Sequence, residues 1–256
     1  MPSLTLRTNL EIEYLMCPGE GQVVPDTSGN ARHGMLGESL DVEDRDPSWV
    51  SNGIYLDNQT YFETPDQFVT GVGLPLALNE STFYASYYDY PGITLEMWVK
   101  VDTIEAIGDF RTLMSLTGQQ LYLVKRDGSW YTQFSSWYDT DNPAYVPVGY
   151  TRYPAECLST GVTPFPFDEW VHVVITRDGD GVRHYLNGTL DFYRQLSYQE
   201  FTDAFNVSPD PAQVLGGDGE ETPSTYLAGI IGGSPSFPGR IGEVRVYSVA
   251  LTEEQV

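Results

Sequence analysis

Residues 165–193, FPFDEWVHVVITRDGDGVRHYLNGTLDFY, constrain the fold more than any other stretch. Val171, Val173 and Ile175 alternate with Trp170, His172, Val174 and Thr176, which is the period-2 pattern of a β-strand. A second run, with Val182 and Leu186 alternating with Arg183 and Tyr185, repeats that pattern. Arg177-Asp178-Gly179-Asp180-Gly181 turns the chain between the runs, and Asn187-Gly188 is a strong second turn signal. The stretch is predicted to be a meander of antiparallel strands.

Other segments carry the same signature. Ile93, Leu95, Met97, Val99 and Val101 define a core face, and Trp98 falls on the opposite face, which argues that this face too is partly covered. Strands are also expected within residues 4–16, at Gly53–Asp57 paired with Thr60–Glu63, at Phe110–Leu116, at Gln120–Lys125 and at Phe237–Tyr247. Thr252 followed by Glu253-Glu254-Gln255 looks like the cap of a short helix. With 25 Gly, 17 Pro and 13 % aromatic residues, many short strands joined by turns are favoured over helix packing. No repeat or linker divides the 256 residues, so a single all-β domain is predicted, with insertions near 66–91, 129–164 and 197–236.

Charge and cysteine usage exclude several functions. Thirteen Lys and Arg stand against 36 Asp and Glu, a formal net charge of -23. That field repels nucleic acid and anionic membrane surfaces. No long apolar run provides a direct membrane insertion, and the opening MPSLTLRTNL lacks the apolar stretch of a classical signal peptide. Cys17 and Cys157 are too few for a disulfide-rich scaffold or a zinc cluster, and their pairing is left open. Asn58, Asn79 and Asn206 match the glycosylation acceptor pattern, as does Asn187 within its turn.

The ordered landmarks resemble the laminin-G-like, concanavalin A-like jelly-roll superfamily. They are Asp26-Thr27-Ser28-Gly29-Asn30 with His33-Gly34, Gly53-Ile54-Tyr55-Leu56-Asp57, and Thr94-Leu95-Glu96-Met97-Trp98-Val99-Lys100. Trp170-Val171-His172-Val173, Tyr185-Leu186-Asn187-Gly188 and Gly239–Tyr247 follow in the expected order. The resemblance implies an antiparallel jelly-roll β-sandwich. Gly242 departs from it, standing where family members usually carry Asp.

Three site readings follow. Many proteins of the resembled superfamily bind structural calcium, an ion that takes carboxylate and carbonyl oxygens. The expected set is Asp26, the carbonyls of Asn30 and His33, and Glu243; the alternative is a turn in which Asp26 caps local N–H groups. Sugar binding needs an aromatic platform beside carboxylates or amides. Trp137, Tyr138, Asp139, Asp141 and Asn142, with Tyr145, Tyr150 and Tyr153, supply both. Catalysis by a glycoside hydrolase needs two opposed carboxylates, and no such pattern occurs: Glu96 reads as isolated, and His172 and His184 as structural. The expected function is a non-catalytic recognition or adhesion module, outside the cell or on a cell or virion surface, binding glycan. The close alternative is a structural component of an assembly whose aromatic loops contact other protein subunits.

Overall fold

The computed structural model describes residues 7, 9–16, 19–36, 41–42, 46–56, 72–74, 92–104, 110–116, 119–136, 158–178, 180–195, 225–227 and 237–256. They form two antiparallel sheets packed face to face, the jelly-roll-like sandwich expected from the alternating patterns. The strands of the first sheet are β1 (Leu10–Leu15), β4 (Ser48–Val50), β5 (Gly53–Leu56), β7 (Gly92–Val101), β12 (Val171–Asp178), β13 (Gly181–Leu186), β14 (Thr189–Gln195) and β16 (Gly239–Tyr247). Their order is β14-β13-β12-β7-β16-β5-β4, and β1 pairs with β16 beyond β5. The second sheet contains β2 (Val23–Val24), β3 (Gly34–Leu36), β6 (Val72–Leu74), β8 (Phe110–Leu116), β9 (Gln119–Arg126), β10 (Ser129–Ser136), β11 (Leu158–Thr160) and β15 (Thr225–Leu227). Its order is β11-β10-β9-β8-β15-β6-β3-β2.

Turn chemistry sets the registers. Asn187 and Gly188 both take positive φ, 51° and 75°, and Asp127 and Gly128 repeat this at 50° and 84°. Positive φ at both central residues matches a two-residue hairpin to the twist of its strands. The first pair joins β13 to β14 and the second joins β9 to β10. Between β12 and β13 the Asp178 carboxylate accepts hydrogen bonds from the Asp180 and Gly181 N–H groups and from Arg183.

The core lies between the sheets. Leu95, Met97, Val99 and Val101 of β7 meet Val173 and Ile175 of β12, Ile241 and Val244 of β16, and Leu121, Leu123 and Phe134 of the opposite sheet. Full burial of each such side chain stabilises the fold by about 1.5–3 kcal/mol relative to leaving it in water. One polar cluster crosses the core. His184 is fully buried, with Nδ1 3.0 Å from Thr132 Oγ1 and Nε2 2.8 Å from Ser159 Oγ. Burial pushes the imidazole down to about 3. The neutral ring therefore joins the sheets by one donated and one accepted hydrogen bond.

Several elements differ from the sequence reading. Val72–Leu74, Ser129–Ser136, Leu158–Thr160 and Thr225–Leu227 are strands inside ranges expected to be insertions. In β10, Trp130, Thr132 and Phe134 alternate with exposed or half-buried residues and are buried, so its aromatic content serves the core. Gly53–Leu56 pairs with Ser48–Val50, a partner upstream of it; the expected partner, residues 60–63, lies outside the described residues. At the other end, a single turn replaces the expected helix. Thr252 O accepts from the Gln255 and Val256 N–H groups, and Gln255 Oε1 accepts from Thr252 N–H.

Candidate functional site on the outer face of the first sheet

The alternation that buries Leu95, Met97 and Val99 sends Thr94, Glu96, Trp98 and Lys100 to the outer face of β7. One end of that face is covered by the segment after β16. Thr94 Oγ1 donates to Val249 O at 2.8 Å and accepts from Leu251 N–H at 2.9 Å. Leu10, Tyr247 and Leu251 pack together there. Beyond this cover the face is open, and Trp98 is 36 % exposed. The outer face is thus partly covered, as the sequence reading has it: closed at Thr94 and open at Trp98.

The registers bring an ordered group around the Trp98 ring. His172 is its partner on β12, and the two rings stack with centroids 4.8 Å apart and planes 15° from parallel. On the other side β16 carries an extra residue: Ile241 pairs with Val99 and Glu243 with Trp98, leaving Gly242 as a bulge. The Trp170 ring, entering from the start of β12, fills the space above Gly242. A Cβ built on Gly242 would lie 3.0 Å from that ring. Trp98 thus stands on the outer face of β7, and the Trp170 indole lies against the bulge of the neighbouring β16. Half-buried Tyr55 sits on β5 opposite Arg240, which pairs in turn with Lys100.

A charge network anchors the platform. Arg245 donates from Nε to Glu13 Oε1 at 3.0 Å, from Nη1 to Glu96 Oε1 at 3.0 Å and from Nη2 to Glu243 Oε2 at 2.8 Å. His172 Nε2 lies 3.0 Å from the same Glu96 oxygen. Burial alone would raise the Glu96 carboxyl, but the His172 hydrogen bond and the charge of Arg245 outweigh it and hold the group below the usual range. Burial would likewise lower Arg245, and its three carboxylates instead raise it. Glu96, isolated in the sequence, is therefore held as a carboxylate by two partners contributed from β12 and β16. His172 is part of this network as well as of the strand.

The expected calcium residues are partly assembled. Asp26 Oδ1 accepts from the N–H groups of Glu13 and Ser28, and Oδ2 accepts from Ser28 Oγ and Arg32 N–H. These bonds outweigh burial and lower the carboxyl. His33 Nδ1 accepts from Asp26 N–H, and the Asn30 side-chain amide donates to Leu10 O and Glu11 O. Glu243 does not join them. Asp26 bridges to Tyr14 on β1, Tyr14 pairs with Val244 on β16, and the Glu243 carboxylate is turned to Arg245. Two strand spacings of about 4.8 Å separate the turn from β16. Among the described residues, no three His, Cys, Asp or Glu side chains are grouped to hold a metal ion. With four hydrogens on its oxygens, Asp26 has the arrangement of the turn-capping alternative.

The expected sugar-binding residues Trp137, Tyr138, Asp139, Asp141, Asn142, Tyr145, Tyr150 and Tyr153 lie outside the described residues, as do Cys17, Cys157, Asn58, Asn79 and Asn206. The platform residues that sequence reasoning missed are Trp98, Trp170, Tyr55, Lys100 and Arg240. Their signal was the parity of β7 and β12; their company depends on registers between distant strands.

Family models place this architecture. The model of the concanavalin A-like lectin/glucanases superfamily, in its laminin G form, matches residues 76–256, well over half of the chain. The chain belongs to that superfamily. The superfamily sandwich continues upstream of the matched range, because β1 and β5 both pair with β16. Domain 4 of an extracellular arabinanase from Geobacillus stearothermophilus, solved with arabinotriose, is similar at a TM-score of 0.51 and 20 % identity, covering 96 % of each chain. Trypanosoma rangeli sialidase matches at 0.53 and 15 % identity over 97 % of this chain and 32 % of its own. The binding domain of botulinum neurotoxin serotype D matches at 0.56 and 11 % identity over 98 % of this chain and 51 % of its own. The chain thus spans about a third and a half of the latter two. At these identities the likeness is one of fold. No curated protein matches the chain in sequence.

Proposed function

We propose that this chain is a non-catalytic extracellular module that recognises carbohydrate through the outer face of its first sheet. The observation that carries the reading is the exposed Trp98 ring, stacked on His172 and flanked by Trp170, Glu96 and Glu243. Sugar rings present C–H faces to such an indole and hydroxyls to the carboxylates beside it. Superfamily membership and the arabinotriose complex of the arabinanase domain support the same class of ligand.

The carboxylates suit binding better than hydrolysis. A glycosidase needs a protonated acid and an opposed carboxylate across the scissile bond. Glu96 and Glu243 instead converge on one guanidinium, and Glu96 is held ionised. A glycan array, followed by a reducing-sugar assay on every sugar that binds, tests both halves. Binding without sugar release is expected; release would replace the recognition module with an enzyme.

Two expectations from the sequence remain separate proposals. The stretch from Trp137 to Tyr153 is a second sugar contact, checked by Trp137→Ala in the same array. Calcium at Asp26 would have to displace its N–H and O–H donors. Thermal unfolding with excess chelator decides it: an unchanged transition sinks the ion and leaves the capped turn.

A further inference from the structure

We propose that the sugar recognised at this face carries a carboxylate, held by Lys100 and Arg240; this rests on the carbohydrate reading above. Lys100 and Arg240 are direct cross-strand partners on β7 and β16. Like charges placed directly opposite each other destabilise a sheet. In a chain with 13 Lys and Arg against 36 Asp and Glu, an acidic or neutral partner was amply available at either position. Arg7, Arg32, Arg183 and Arg245 each contact a carboxylate. Lys100 and Arg240 form no ion pair among the described residues.

Two acids near the pair are committed elsewhere. Asp168 is close enough for Lys100 to lower its carboxyl, but its oxygens accept from Thr103 N–H at 3.1 Å and Thr103 Oγ1 at 2.6 Å. Glu243 is bound to Arg245 at 2.8 Å. Tyr55, opposite Arg240, is the remaining titratable neighbour in the row. The pair lies one outward position along β7 from Trp98, about 7 Å away by strand rise, and at the rung where Trp170 enters. A pyranose on either indole thus brings a ring carboxylate to both cations. The overall negative charge acts against any anion at long range, but screening confines that repulsion to about 8 Å at physiological ionic strength, while the two cations act at contact.

The test compares sialyllactose and trigalacturonic acid, two sources of a sugar carboxylate, with neutral lactose by isothermal titration calorimetry in 150 mM salt. At least one acidic sugar is expected to bind 10-fold or more tightly than lactose, and which one binds identifies the source. Lys100→Gln and Arg240→Gln, which keep much of each stem, are expected to erase that preference. Each should also raise the melting temperature of the free protein by relieving the like-charge pair. Equal affinity for neutral and acidic sugars, or a preference that survives both substitutions, overturns the carboxylate inference and leaves carbohydrate recognition intact. Failure of all three sugars, with no binding on the array, overturns both. A lowered melting temperature in both variants would assign the pair to packing against Tyr55 and Trp170 and equally overturn the inference.

Discussion

Gly242 and Trp170 share one space: a Cβ at the glycine would lie 3.0 Å from the indole. The departure from the superfamily's usual Asp at this position therefore has a structural counterpart. The side chain missing from the β16 bulge is replaced by a ring from the start of β12.

Restoring the usual residue should displace that ring. Gly242→Asp is expected to cost about 1–3 kcal/mol, the range for overpacking a filled site. Urea unfolding measures the loss, and a red-shifted tryptophan emission would report the ring's entry into water. Unchanged emission would mean that Trp170 does not depend on the glycine.

Arg245 should be a more sensitive position than the half-exposed Glu243 it binds. It is the common partner of Glu13, Glu96 and Glu243, and Glu13 is only 2 % exposed. Arg245→Ala leaves that buried carboxylate with the longer 3.6 Å contact to Arg7 and the Thr27 hydroxyl. The expected loss is about 3–5 kcal/mol, as for other broken buried pairs. Glu243→Gln, on the half-exposed arm of the network, should cost less than about 1 kcal/mol. Equal losses in the two variants would contradict this ranking.

His184 gives the fold a pH dependence of definite sign. Its folded value is depressed to about 3, so the unfolded chain takes up the proton first as pH falls. The contribution is complete above about pH 6.5 and is lost progressively between there and pH 3, at no more than about 1.4 kcal/mol per pH unit. Between pH 6.5 and 5 the native protein should lose about 2 kcal/mol more than His184→Gln. Asp26 and Glu96 are also lowered, but their stabilisation is present above the ordinary carboxylate range and lost only as pH falls below it. Parallel pH profiles for the two proteins would remove His184 from the acid response.

Local signals made much of the sandwich readable. Asn187-Gly188 announced its turn because positive φ favours those residues, and the parity of β7 and β12 marked the core face. Ser129–Ser136 was read as part of an insertion because its aromatic content masked an ordinary alternation. The platform was less legible. Trp98 is exposed only where the segment after β16 stops covering the sheet, and Glu96 has partners only through registers with β12 and β16. Such pairings join residues about 75 and 150 positions apart, and no local period encodes them.

Trp98→Ala is the most direct test of carbohydrate recognition at this face. The measurement is calorimetric titration, on native and substituted protein, of the tightest-binding sugar from the array. Loss of one indole–sugar stack, about 1–1.5 kcal/mol by analogy with aromatic pairs, should weaken binding about 10-fold. The protein should still fold, with a lowered melting temperature from loss of the His172 stack, because the ring lies outside the core between the sheets. Undiminished affinity in a folded Trp98→Ala protein would contradict the account and move the sugar site away from the outer face of the first sheet.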